Sequence, residues 1–107
     1  MAKRFEDIEV WRLSRALVKD VYTLTSLTNI KKNYCITDQI QRAALSVMNN
    51  ISEGFERQSN KEFIYFLKIA KGSVGEVRSI LYVLTDLKIG GFFVPLKQAL
   101  KPVSGKF

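Results

Sequence analysis

The stretch from Ser46 to Phe63, SVMNNISEGFERQSNKEF, holds the side chains best suited to chemistry in this chain. General acid–base catalysis uses groups that can exchange protons near neutral pH, and histidine is the commonest of them. The acids here are Glu53, Glu56 and Glu62, and the chain contains no histidine. Ser46 has no adjacent base that would activate its hydroxyl group as a nucleophile. These residues predict a protein that is not an enzyme and has no catalytic residue.

The sequence predicts neither a metal site nor a cofactor. Structural zinc sites use cysteine and histidine ligands, and di-metal centres in helix bundles use Glu-x-x-His pairs. The chain has no histidine and one cysteine, Cys35, which has no partner for a disulfide and suits a reducing compartment. The start of the chain lacks the apolar run of a signal peptide, and no window resembles a membrane span. We therefore expect a cytoplasmic protein.

The polar residues of this stretch share one side of a predicted helix. At 100° per residue they form a stripe that borders the apolar side instead of opposing it, as residues at the rim of an interhelical or intersubunit contact do. Glu53 and Arg57 have the i,i+4 order that favours an ion pair. We interpret the stripe as a structural or assembly motif, comprising Arg42, Ser46, Asn50, Glu53, Gly54 and Arg57.

Gly54 is the exception in this motif, because it lies on the apolar side of the helix. A glycine there costs about 1 kcal/mol relative to alanine. Close approach by another backbone or a bulky ring would account for it, and Trp11 is one candidate for that ring. The alternative is a mid-helix glycine with no special role.

The remaining pattern predicts an all-α chain, folded as one antiparallel up-down four-helix-bundle domain over residues 1–107. The helices are expected at about 7–27, 37–58, 60–88 and 95–101. Thr37 or Asp38 is the expected N-cap of the second helix, and Ser59 with Glu62 has the spacing of a capping box before the third. The third helix has the clearest pattern, because its apolar residues step by four and three: Phe63, Leu67, Ala70, Val74, Val77, Leu81 and Leu84.

The fourth helix is expected to be short. Gly90 and Gly91 should close the third helix, Pro95 suits a first helical position, and Pro102 should stop the helix at Lys101. Such a helix would leave part of the apolar face of its neighbours uncovered, so we expect the chain to form oligomers.

A net charge of +7 favours an anionic partner, and RNA or DNA is the first candidate. The cations fall on the outer sides of two predicted helices, and Tyr82 shares one of these sides and could stack on an exposed base. The predicted nucleic-acid contacts are Arg12, Arg15, Lys19, Lys61, Lys68, Lys71, Arg78 and Tyr82. No base-reading motif is present, so we expect phosphate contacts with low sequence specificity. Two alternatives are docking of an acidic protein and cations that serve solubility alone.

Two sequence motifs resemble those of a known family. The first, R-A-x-x-S-x-x-x-N-I-x-E-G-F-x-R, runs from Arg42 to Arg57, and the second, F-L-x-x-A-x-G-S-x-x-E, runs from Phe66 to Glu76. The opening FEDIEVW, from Phe5 to Trp11, matches as well. These motifs resemble the small bacterial four-helix-bundle proteins encoded in intervening sequences of 23S ribosomal RNA genes. One branch of that family comprises accessory variability proteins of diversity-generating retroelements.

The resemblance implies an antiparallel bundle that assembles as a ring-like homopentamer with a basic surface. In the retroelement branch it also implies binding to nucleic acid and to a reverse transcriptase. The chain departs from the family after Asp86 and Leu87, where members usually continue into a long fourth helix. Here a glycine pair and a phenylalanine pair, residues 90–93, follow instead, with prolines at 95 and 102.

Overall fold

The computed structural model describes residues 2–87 and 100–107, and this part of the chain is helical with no strand. A single 3-10 turn at Phe5–Asp7 precedes α1 (Glu9–Thr25) and the short helix α2 (Thr28–Lys31). Two long helices follow, α3 (Tyr34–Glu56) and α4 (Asn60–Asp86). Residues 100–105 are also helical, and we call residues 100–107 the C-terminal segment. The predicted all-α class with three long helices is confirmed.

The start of α3 differs from the prediction. Thr37 and Asp38 were the expected caps, but the helix begins at Tyr34, and its N-cap Asn33 makes no side-chain capping bond. The segment that the sequence indicated as a break contains a turn of helix, α2. It places the carbonyl oxygen of Ile30 where the Thr37 hydroxyl donates to it over 3.3 Å. Thr37 therefore joins α3 to α2 instead of capping α3.

The start of α4 follows the predicted capping box in part. Ser59 is the N-cap, and its Oγ accepts a hydrogen bond from the backbone N–H of Glu62 over 3.4 Å. The Glu62 carboxylate lies 3.6 Å from Arg57. Gln58, in the turn before Ser59, has a φ of 56°, a left-handed value uncommon outside glycine. This residue lies in the turn between the end of α3 and the start of α4.

The core forms on both sides of α3, which packs against α1 and against α4. Within the described residues α1 and α4 have no pair of Cα atoms within 8 Å of each other. The long helices contribute fully buried aliphatic side chains to one cluster: Leu17, Val21, Ile40, Val47, Ile51, Val77, Leu81 and Leu84. The apolar row that predicted the third helix faces this cluster from Leu67 to Leu84.

The C-terminal segment covers part of the same core. Leu100 and Val103 are buried, and Phe107 packs against the cluster. Lys106 Nζ lies 3.0 Å from the Glu9 carboxylate, which ties the segment to the start of α1. A 3.4 Å hydrogen bond from Arg78 to Ser104 joins the C-terminal segment to α4.

The prediction that Pro102 stops a helix at Lys101 is wrong, because the chain stays helical to residue 105. The φ that proline imposes is itself a helical value, and its effect on a helix comes from the missing N–H and from contact with the carbonyl group four residues earlier. The burial of Leu100 and Val103 favours the helical conformation here. Pro95, Gly90 and Gly91 lie outside the described residues.

Candidate nucleic-acid interface

The polar motif of α3 makes hydrogen bonds to α4. Ser73 Oγ of α4 donates to Ser46 Oγ over 2.8 Å. Asn50 Nδ2 donates to the carbonyl oxygen of Ser46 over 2.8 Å and to its Oγ over 3.0 Å. Ser73 is only 5% exposed, so its hydroxyl group needs this partner. The three side chains form one connected network, centred on Ser46, where α3 and α4 meet.

Arg57 is the second link between these helices. Its guanidinium lies 2.8 Å from Glu53 on α3, 3.6 Å from Glu62 on α4, and 5.1 Å from the ring centroid of Phe66. The hydrogen bond from Arg57 to Glu53 and the charge of Glu53 raise the pKa of Arg57 above its ordinary value. Arg42, the remaining cation of the motif, pairs with Asp38 over 2.9 Å within α3. Both arginines of the motif thus form salt bridges with acidic residues of this chain.

Gly54 lies in close contact with α4. A Cβ atom at this position would be 2.7 Å from Cβ of Phe66 and 3.0 Å from Cδ1 of Phe63. Close approach was the predicted reason for this glycine, but Trp11 was the wrong candidate. The Trp11 ring instead packs edge-on against Phe5, with 5.1 Å between centroids.

Among the described residues, every buried side-chain nitrogen and oxygen atom has a hydrogen-bond partner. No three of their cysteine, aspartate and glutamate side chains are grouped closely enough to hold a metal ion. No helix among them is both long and apolar enough to cross a membrane.

Positive charge is concentrated on the outer side of α4. From Lys61 to Tyr82 the positions on that side step by three and four, away from the buried residues Ala70 and Val77, and none of them is acidic; the exposed Asp86 continues this side one turn later. We call this side the α4 basic face: Lys61, Ile64, Lys68, Lys71, Gly75, Arg78 and Tyr82. At 1.5 Å per residue it extends over about 30 Å. Five of the eight predicted contact residues therefore share one continuous surface.

The cations of this face are available to a partner. Lys61, Lys68, Lys71 and Arg78 are all exposed, and none forms a salt bridge with a described residue. Tyr82 is 59% exposed at the end of the row. In the α3 motif, by contrast, Arg42 and Arg57 each form a salt bridge with an acidic side chain. The four cations of α4, which have no salt bridge in the described part of the chain, therefore lie where a partner could contact them.

The three cations of α1 form a separate patch. Arg12, Arg15 and Lys19 are exposed on the side of α1 opposite its buried residues, and they too form no salt bridge in the described part of the chain. Arg15 lies 5.9 Å from the centroid of the Trp11 ring. The structure does not join this patch to the α4 basic face, because α1 and α4 contact α3 and not each other.

A cleft at the end of the α4 basic face was missed by sequence reasoning. It has a volume of about 200 Å³ and is lined by Arg78, Tyr82, Leu100, Lys101 and Ser104. Lys101 was overlooked because the helix was expected to stop there. The available signal was the i,i+3 spacing of Leu100 and Val103, which predicts a helix packed on the core with Lys101 on its exposed side.

A second exposed row follows another side of α4. Tyr65 is 61% exposed, Ile69 37%, Val83 44% and Leu87 52%. These four side chains, interrupted by Gly72 and Glu76, lie on one side of the helix and outside the core. We call them the α4 apolar row. The row thus consists of two exposed apolar pairs, Tyr65 with Ile69 and Val83 with Leu87, and exposed apolar side chains of this kind occur at protein contact surfaces.

Comparison with known proteins identifies a family. The family model described as 23S rRNA-intervening sequence protein matches residues 6–91 of the chain. No curated protein matches the sequence. The match includes all three long helices, the α3 motif and the α4 basic face, whereas the C-terminal segment lies beyond it. A match over this share of the sequence shows that the chain belongs to the 23S rRNA-intervening sequence protein family.

Proposed function

We propose that this protein is a basic, oligomeric accessory protein that binds nucleic acid with low sequence specificity. The observation that carries the proposal is the α4 basic face, with four exposed cations that have no ion pair among the described residues. The family description refers to 23S ribosomal RNA, which makes RNA the first candidate and DNA the second.

The chemistry of the face favours phosphate over base recognition. Three of its four cations are lysines, whose ammonium groups act as flexible point charges, and only Arg78 has the planar guanidinium fork that favours bidentate contacts. A row about 30 Å long is comparable to one turn of a duplex, about 34 Å. Several phosphates can therefore contact the face at once, while the base sequence has little effect on affinity.

The proposed assembly is an up-down bundle that forms a homo-oligomer, and the family resemblance favours a pentamer. An antiparallel α3–α4 pair is supported by two contacts, Gly54 with Phe66 and Ser46 with Ser73, because the residue number falls along α3 as it rises along α4. The α4 apolar row is the surface we propose for contact between copies. A ring would present several basic faces to one strand and so raise its avidity.

The assembly is tested by the mass of the protein in solution. Light scattering coupled to size-exclusion chromatography should give an integral multiple of 12.2 kDa, and five is the expected multiple. A monomer at every concentration would contradict the oligomer, and another multiple would contradict the pentamer.

An alternative function is a protein-interaction module in which nucleic acid has no direct role. The exposed α4 apolar row favours it, and the retroelement branch indicates a reverse transcriptase as the protein partner. Cytoplasmic location fits both functions. Capture of a purified reverse transcriptase with and without nuclease distinguishes them, because only a direct protein contact survives digestion of the nucleic acid.

The direct test of the proposed function is retention of RNA and DNA. The folded protein should retard both polyanions at about 50 mM salt and lose them steeply by about 200 mM, because salt competes with phosphate contacts. Absence of retention for both polyanions at the lower salt concentration would refute the proposal.

A further inference from the structure

The cleft between α4 and the C-terminal segment combines three features of a nucleotide site. Arg78 and Lys101 supply positive charge, Tyr82 supplies a half-exposed ring, and Leu100 supplies an apolar wall. Arg78 and Lys101 form no salt bridge with a described residue. Ser104 accepts a hydrogen bond from Arg78 Nη1 over 3.4 Å. A guanidinium group has five N–H donors, so this bond leaves donors for a ligand.

The size of the cleft limits its occupant. About 200 Å³ is less than the roughly 300 to 1,000 Å³ of pockets that enclose drug-sized ligands. One planar ring system is a better match than a whole folded ligand. The position of the cleft adds a second constraint, because it lies where the α4 basic face ends, at Arg78 and Tyr82. A strand held on that face by its phosphates would reach the cleft with its next nucleotide.

We propose that this cleft binds one unpaired base of single-stranded nucleic acid. Tyr82 stacks on the base, while Arg78 and Lys101 contact the flanking phosphates. The inference rests on the proposed function and goes further, since it predicts that the protein prefers single strands to duplexes. A base within a duplex must be unstacked and unpaired before it can enter, which costs a few kcal/mol. Phosphate contacts alone would not give this preference.

The experiment compares two fluorescent probes of equal length, single-stranded oligo(U) and the matching oligo(A)–oligo(U) duplex, at one low salt concentration. The wild-type protein should bind the single strand more tightly. Tyr82→Ala should weaken single-strand binding about tenfold or more, the effect expected from losing one stacked base. The same variant should leave duplex binding unchanged, and Tyr82→Phe should restore single-strand binding because its ring can still stack.

Two further variants complete the design. Tyr34→Ala removes a tyrosine that is 79% exposed on α3 and does not line the cleft, and should change neither affinity. Lys101→Gln should weaken single-strand binding and reduce its salt dependence by about one phosphate contact. Circular dichroism of each variant establishes that the fold is retained.

The outcomes separate this inference from the proposed function. Equal binding of both probes, unaffected by Tyr82→Ala, would overturn the base-binding cleft and leave the proposed phosphate-binding function intact. The inference would also be overturned if Tyr82→Phe and Tyr82→Ala both failed to bind either probe. Loss of stacking could not then explain the weaker binding, because the phenylalanine ring can still stack. Failure of the wild-type protein to bind either probe would refute both proposals.

Discussion

Gly54 of α3 lies directly against Phe66 of α4, so that a Cβ atom on Gly54 would stand 2.7 Å from Cβ of Phe66. The obstructing atom is bonded to the backbone of α4 and cannot move away by a change of rotamer. The two helices therefore approach each other as closely as they do because position 54 has no side chain.

Gly54→Ala should destabilise the protein. Alanine favours the helix by about 1 kcal/mol relative to glycine, but overpacking a core contact typically costs about 1 to 3 kcal/mol and here requires α3 and α4 to separate. We expect the second effect to exceed the first and the melting temperature to fall. Thermal unfolding followed by circular dichroism measures the change.

The matched controls for Gly54→Ala are Gly72→Ala and Gly75→Ala. Both glycines lie within α4, and a Cβ atom at either one meets no atom within 4 Å. These substitutions should raise the melting temperature, because only helix propensity changes. A Gly54→Ala protein that is as stable as these controls would show that the contact with Phe66 is not restrictive.

Ser73→Ala should destabilise the protein by about 1 kcal/mol, the usual net value of one hydrogen bond. For a domain of this size that lowers the melting temperature by about 4 to 8 °C. Ser46→Ala removes the acceptor of the same bond, so the double variant should cost less than the sum of the two single variants. Strict additivity in this double-mutant cycle would contradict the Ser46–Ser73 hydrogen bond.

Glu53→Gln should alter assembly or stability, because it removes the charge that pairs with Arg57 while keeping the shape of the side chain. The pair is exposed, so the fall in melting temperature should be small and should diminish at high salt. Asp7→Asn is the control, since Asp7 pairs with Arg4 outside α3. If the Glu53→Gln protein keeps both its mass in solution and its melting temperature, the structural role of the motif is refuted.

The sequence predicted the long helices well because their apolar residues recur with the period of a helix and face one core. It was less successful where a contact distant in sequence decides the local structure. At the start of α3 the Thr37 hydroxyl group donates to the carbonyl oxygen of Ile30 in α2, a contact that the rules for helix caps do not include. The helix through Pro102 likewise depends on the burial of Val103 against the other helices.

The candidate interface was predictable to the extent that it lies on one helix. Lys61, Lys68 and Lys71 share a side of α4 by spacing alone, whereas the cleft requires Lys101 and Arg78, 23 residues apart, to be brought together by tertiary packing. Periodicity also placed Gly54 on the packing side. It could not identify Phe66 in place of Trp11 as the neighbour, because that depends on how α3 and α4 pack.

The most direct test of the central claim is the salt dependence of nucleic-acid binding for two charge-matched variants. Lys68→Gln with Lys71→Gln removes two cations of the α4 basic face, and Lys31→Gln with Lys32→Gln removes two exposed cations elsewhere. In a plot of the logarithm of the binding constant against that of the salt concentration, the slope is negative, and the first variant should reduce its magnitude by about 1.4 to 1.8. The second variant should keep the wild-type slope. Equal slopes for the two variants would contradict binding through the α4 basic face.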